Sequence, residues 1–131
     1  MKYIKLLADE LVTKHETYDP EKLIKSEGIE LVFHTMDING LYISNCGRKT
    51  IVIDSKLYGL EKITAMYHEL AHSQMHPDET YLLMKDYFIF ESSKIENEAN
   101  TFAAYMVLKY SENIDFEPGD EELLEKLKTF L

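Results

Sequence analysis

Residues 67–76 read YHELAHSQMH, which places three of the chain's five histidines and one glutamate in ten positions. They close a run in which Leu60, Ile63, Met66, Tyr67, Leu70 and Ala71 recur at helical spacing until His76-Pro77 breaks it. No other segment constrains the fold as much. His68 and His72 form an i, i+4 pair about 40° apart around a helix, so both imidazoles can point at one ion. Glu69 stands on the adjoining face, close enough to take a proton from a water on that ion without being a ligand itself. The His-Glu-x-x-His pattern therefore predicts half of a metal site, and the other half must come from elsewhere in the chain. The bland alternative is a helix surface with two histidines and a salt-bridging glutamate.

A catalytic zinc keeps three protein ligands and one open position. Two candidates exist for the third ligand. His76 lies one turn beyond His72 on the same face, but one straight helix cannot wrap three ligands tetrahedrally around an ion. The intervening Ser73-Gln74-Met75 also lacks a glycine turn. His76 reads instead as a helix C-terminal residue, where the dipole favours a cation. The other candidate is the acid-rich stretch IENEANTFAA, residues 95–104. On the helix whose apolar side carries Ala99, Phe102 and Met106, Glu96 sits about 60° from Ala99 and Glu98 about 100°. Asn100, four residues beyond Glu96, is placed to hold a ligand imidazole from behind. Glu96 has a second reading, because Ser93-x-x-Glu96 is also a capping box.

The rest of the chain supplies short, mixed elements. Ile4, Leu6, Leu7, Leu11 and Val12 give residues 2–14 a helical spacing, and Asp19-Pro20 opens a second short helix that Gly28 stops. IELVFHTM favours a strand. A turn at Met36–Gly40 leads into LYIS, and NCGRK is a second turn before TIVID. Three locally connected strands predict a small mixed or antiparallel sheet. Helices are expected over about 93–110 and 120–131, while YLLMKDYFIF reads equally as helix, strand or packed loop. This is an α+β layout in one domain spanning residues 1–131.

Charge narrows the function classes. With 24 acidic against 14 basic residues the net charge is −10, which repels phosphate backbones and argues against direct nucleic-acid binding. No apolar run nears the ~20 residues of a membrane span, and the N-terminus lacks an export signal. The single cysteine, Cys46, rules out an internal disulfide and reads as a turn thiol with no role. A reducing, cytoplasmic setting is expected, with no membrane partner.

HELAH, followed 24 residues after its second histidine by ENEANTFAAYMVL, resembles the ImmA/IrrE family of zinc metallopeptidases. The likeness extends over about residues 5–108, through DPEKL, the β-hairpin region and TIVID. It implies a zincin-like fold: a small three-stranded sheet packed with the HExxH helix and a following ligand-bearing helix. It further implies one Zn2+ per chain, held by His68, His72 and Glu96, with Glu69 as general base. Family members are often encoded by phages or mobile elements, where they cleave a separate helix-turn-helix repressor, while some act in stress responses or beside toxin–antitoxin pairs. The resemblance implies an endopeptidase with such a repressor as partner. Two departures stand out: Ala71 where glycine is common, and YMVLKY after FAA without the usual proline. Tyr67, Tyr81, Tyr87 and His76 are candidates to donate to the oxyanion, and each reads more readily as a packing or surface residue. The rival reading is a metal-stabilised antirepressor or antitoxin-like protein that sequesters its regulator uncut.

Overall fold

A computed structural model of the chain describes residues 2–83, 93–110 and 116–131. Among these, helices α1 (Lys2–His15) and α2 (Pro20–Ser26) precede strands β1 (Glu30–His34), β2 (Gly40–Asn45) and β3 (Arg48–Asp54). Helix α3 (Gly59–Met75), strand β4 (Tyr81–Leu83), helix α4 (Lys94–Tyr110) and helix α5 (Asp120–Lys128) follow. The molecule is α+β, as expected. No helix among the described residues is long and apolar enough to cross a membrane.

Local chemistry explains most boundaries. Asp19 caps α2, its side chain accepting from the Glu21 and Lys22 amides, with Pro20 at the first helical position. The β2–β3 hairpin turns on Cys46 and Gly47, both at positive φ (51° and 81°), between the paired Asn45 and Arg48. Two left-handed central residues make a type I′ turn, whose twist matches that of the flanking strands.

The sheet corrects one expectation. It has four strands rather than three, in the order β1-β3-β2-β4, with β1 parallel to β3 and the other pairs antiparallel. The added strand is the start of YLLMKDYFIF; residues 84–90 of that stretch lie outside the described residues. Three residues are too few for a period-two signal. What makes them a strand is tertiary. The Tyr42 hydroxyl donates to the Pro77 carbonyl at 2.7 Å, turning the chain after α3 back along β2.

Helix α3 is the centre of the molecule. It is packed against α4, α2 and the sheet, and its residues Thr64–Ser73 are all buried. Leu60, Ala65, Met66, Leu70 and Ala71 join Ile51 and Ile53 of β3 and Ala99, Phe102 and Ala103 of α4 in one core. Each fully buried aliphatic of this kind contributes about 1.5–3 kcal/mol. Lys49 of β3 donates to the Ser73 carbonyl at 3.1 Å, satisfying one of the last carbonyls of α3. The helix is thus held between sheet and α4 with Thr64, His68, Glu69, His72 and Ser73 enclosed.

Candidate metal centre

His68, Glu69 and His72 occupy consecutive turns in the middle of α3, and all three are fully buried. The two imidazoles face α4. Glu96 reaches both: its Oε2 lies 2.9 Å from His68 Nε2 and its Oε1 lies 3.1 Å from His72 Nε2. The Glu96 amide meanwhile donates to Ser93 Oγ at 3.2 Å. Cap and site contact are therefore compatible readings of this residue: Ser93 holds the helix start while the Glu96 carboxylate joins the histidines.

Behind the imidazoles stand two supports. Asn100 Oδ1 lies 2.9 Å from His68 Nδ1, the position the helical spacing had suggested for it. His76, at the C-cap of α3, turns its ring back so that its Nδ1 lies 3.1 Å from His72 Nδ1 and its Nε2 lies 3.1 Å from Glu98 Oε1. His76 stands at the helix C-terminus, as its sequence position suggested, but its surroundings oppose the cation that the dipole would favour. Burial, and then the charge of His72, hold it below the ordinary imidazole value. Glu98 also differs from its place on the helical wheel: it is only 7% exposed, and its Oε2 accepts from the Tyr3 hydroxyl of α1.

Glu69 has the opposite setting. Neither of its carboxylate oxygens has a hydrogen-bond partner, although both are buried. It points at the sheet, where Gly40 of β2 pairs with Leu83 on one side and Ile53 on the other. Directly paired residues share a face, so glycine leaves a notch between two large aliphatic side chains. A Cβ at position 40 would lie 3.2 Å from Glu69 Cγ and 3.3 Å from its Oε2. The notch was not legible beforehand, because Gly40 reads as a turn residue until the strand register is known.

The two carboxylates consequently differ in protonation. Burial, reinforced by the charge of Glu96, pushes the Glu69 carboxyl well above the usual range. Burial would raise Glu96 as well, but hydrogen bonds and charge from His68 and His72 outweigh it and hold Glu96 at about 2. His72 is lowered by burial, against the opposing pull of Glu96. The imidazole is therefore neutral and Glu96 ionised, the forms in which both bind metal.

His68, Glu69 and His72 each offer a ligand atom within 4.8 Å of the others, so a cation could be held here. Two observations support that fit. His72 Nε2 is buried and lacks hydrogen-bond alignment despite its 3.1 Å approach to Glu96. The Nε2 atoms of both rings face the Glu96 carboxylate, at 2.9 and 3.1 Å, and Asn100 Oδ1 stands 2.9 Å from His68 Nδ1 on the far side of that ring, so both imidazoles present to one carboxylate the nitrogen that a cation would use. Of the two carboxylates, Glu96 touches both nitrogens and keeps its charge, whereas Glu69 touches neither.

The candidate oxyanion donors fall into different places. The Tyr67 hydroxyl donates to the Tyr18 carbonyl, away from the histidines. Tyr81 stacks on His72 with ring centroids 4.2 Å apart and an interplanar angle of 12°, a contact with no signal in the sequence. Tyr87 lies outside the described residues. Cys46 is exposed at the hairpin tip.

Comparison with known proteins places the chain in a family. The peptidase M78 family, described as the IrrE N-terminal-like domain, matches residues 24–131. Over 107 residues the chain is 35% identical to "Uncharacterized immunity region protein 2" of Bacillus phage phi105, covering 80% of this chain and 68% of that protein. No solved structure matches at a significant level.

Proposed function

The chain belongs to the peptidase M78 family, and from that membership we propose that it is a zinc-dependent endopeptidase that cuts one protein partner. The observation that carries this reading is the closure of the Glu96 carboxylate on the Nε2 atoms of both His68 and His72, with unpartnered Glu69 beside them. His68, His72 and Glu96 are the three ligands in this reading, and one domain over residues 1–131 carries them. When bound, Zn2+ supplies Lewis acidity to the scissile carbonyl and brings the pKa of a water toward neutrality.

The remaining work falls to the chain's own residues. Glu69, in its carboxylate form, accepts the proton of the attacking water and returns it to the leaving amine nitrogen. Its notch against Gly40 fixes where the carboxylate stands and excludes competing hydrogen-bond partners. Strand β4 pairs with β2 along one edge and has no partner strand along the other among the described residues. An extended peptide added there would run past Tyr81, whose ring lies on His72. Tyr81 is the described oxyanion candidate that lies against the site, since both ring nitrogens of His76 are engaged by His72 and Glu98.

The partner in this reading is a separate helix-turn-helix repressor of phage type. Similarity to an immunity-region protein of a phage supports it, and so does a net charge of −10, which complements a basic DNA-binding surface. Such a partner puts the protein in the cytoplasm. The test is to incubate zinc-loaded wild type and Glu69→Gln with candidate repressors and to look for a defined cut by mass spectrometry. Wild type should cut once, and Glu69→Gln should retain zinc and cut nothing. Full inactivation of the repressor by Glu69→Gln would instead establish sequestration without cleavage.

A further inference from the structure

The support behind His72 runs further than that behind His68. The chain of contacts passes from His72 Nδ1 to His76 Nδ1 at 3.1 Å, then from His76 Nε2 to Glu98 Oε1 at 3.1 Å. It ends at the Tyr3 hydroxyl, which donates to Glu98 Oε2. Three helices contribute: α3, α4 and the N-terminal α1. The family match begins at residue 24, so Tyr3 lies outside the part of the chain that the match covers.

With uncharged rings, the direction of each hydrogen in this chain follows from its carboxylate end. A carboxylate oxygen only accepts, so His76 Nε2 must carry hydrogen toward Glu98. A neutral His76 then has a bare Nδ1, which can only accept, and His72 Nδ1 must carry the hydrogen between them. The remaining ring nitrogen, His72 Nε2, is left as a lone pair facing Glu96. Behind His68 the corresponding place is taken by one residue, Asn100, whose Oδ1 lies 2.9 Å from His68 Nδ1. Side chains that fix a ligand imidazole from behind govern both its tautomer and its orientation.

We propose that His76 and Glu98 are positioning residues that lock His72 in the ligand tautomer, and that Tyr3 anchors them from α1. This inference rests on the zinc reading above. It also gives His76 a role other than that of third ligand or oxyanion donor. In addition, it makes the N-terminal helix part of the support of the site.

Zinc affinity of the full chain, measured by competition with a chromophoric chelator, tests the proposal independently of any activity. Wild type, His76→Ala, His76→Asn and Tyr3→Phe are compared, with thermal midpoints of the metal-free forms taken alongside. His76→Ala should bind zinc about 10- to 100-fold more weakly, the range for partners behind a ligand. His76→Asn places an amide oxygen where Nδ1 stood and should recover most of that loss. Tyr3→Phe should weaken binding a few-fold, with its metal-free midpoint little changed. Equal affinity in wild type and His76→Ala overturns the proposal. So does a loss that His76→Asn fails to rescue, which would make His76 a ligand or a packing group. A wild type that takes up no zinc defeats the peptidase reading itself, a result distinct from both.

Discussion

The two sides of α3 are built on opposite principles. Toward α4, each imidazole has a partner behind it and Glu96 in front, so the position and orientation of both rings are set. Toward the sheet, Glu69 meets a glycine notch and no hydrogen-bonding group, and burial drives its carboxyl upward. The first side is a holder. The second keeps a carboxyl under-solvated and ready to exchange a proton, the condition under which a carboxylate becomes an effective base. One residue of chain, from His68 to Glu69, separates the two.

The largest expected effect breaks the contrast at Glu69. Glu69→Gln should lower the peptidase rate by about 10²- to 10⁴-fold, the usual share of a general base, with zinc content unchanged. Loss of zinc in that variant would make Glu69 part of the holder. Next comes Glu96→Ala, which should cost more than the ~100-fold in zinc affinity that removing an outer partner can cost, because the two imidazoles are left facing each other. Equilibrium dialysis against zinc reads this directly, and an unaltered affinity would move the third ligand elsewhere. Gly40→Ala sharpens the comparison from the sheet side. By displacing Glu69 it should cut kcat by roughly 10- to 100-fold and cost about 1–3 kcal/mol of stability through overpacking, with zinc still bound.

The smallest effect belongs to a region remote from both faces, and serves as their control. Asp9 of α1 accepts hydrogen bonds from Tyr105, Lys109 and Tyr110 of α4. Burial would raise its pKa, but those hydrogen bonds and the Lys109 charge outweigh burial and hold it below the ordinary value of 3.8. A depressed carboxylate stabilises the fold above its unfolded pKa, and the contribution is lost as pH falls through the folded value. Asp9→Asn should therefore lower the thermal midpoint at pH 7 and make progressively less difference as pH falls below about 4. Screening at this partly exposed pair keeps the effect under about 1 kcal/mol. Zinc affinity should not change.

How much could be read in advance followed from the range of each interaction. The α3 helix, the Asp19-Pro20 helix start and the Cys46-Gly47 turn are local patterns, and all three stand where the residues put them. Glu96 and Asn100 were legible because they lie four apart on one helix and so reach the same neighbour. Strand β4 was not, since its existence depends on pairing with β2 and on Tyr42 holding Pro77. The burial of Glu98 was not legible for a related reason. A helical wheel drawn on the apolar stripe of α4 counts one packed side, while Glu98 is covered by His76 and Tyr3 from two other helices. The glycine notch depends on register across three strands, which no local pattern carries.

The type I′ turn has a practical consequence. Strand β2 begins at the notch under Glu69, and the hairpin tip that follows it carries the chain's single thiol, exposed on Cys46. Six residues at about 3.4 Å each put that thiol roughly 20 Å from the notch. One dye coupled there would mark every molecule identically and sit clear of the chemistry. Energy transfer to an acceptor on a bound partner would then time docking and release in the uncut complex of Glu69→Gln.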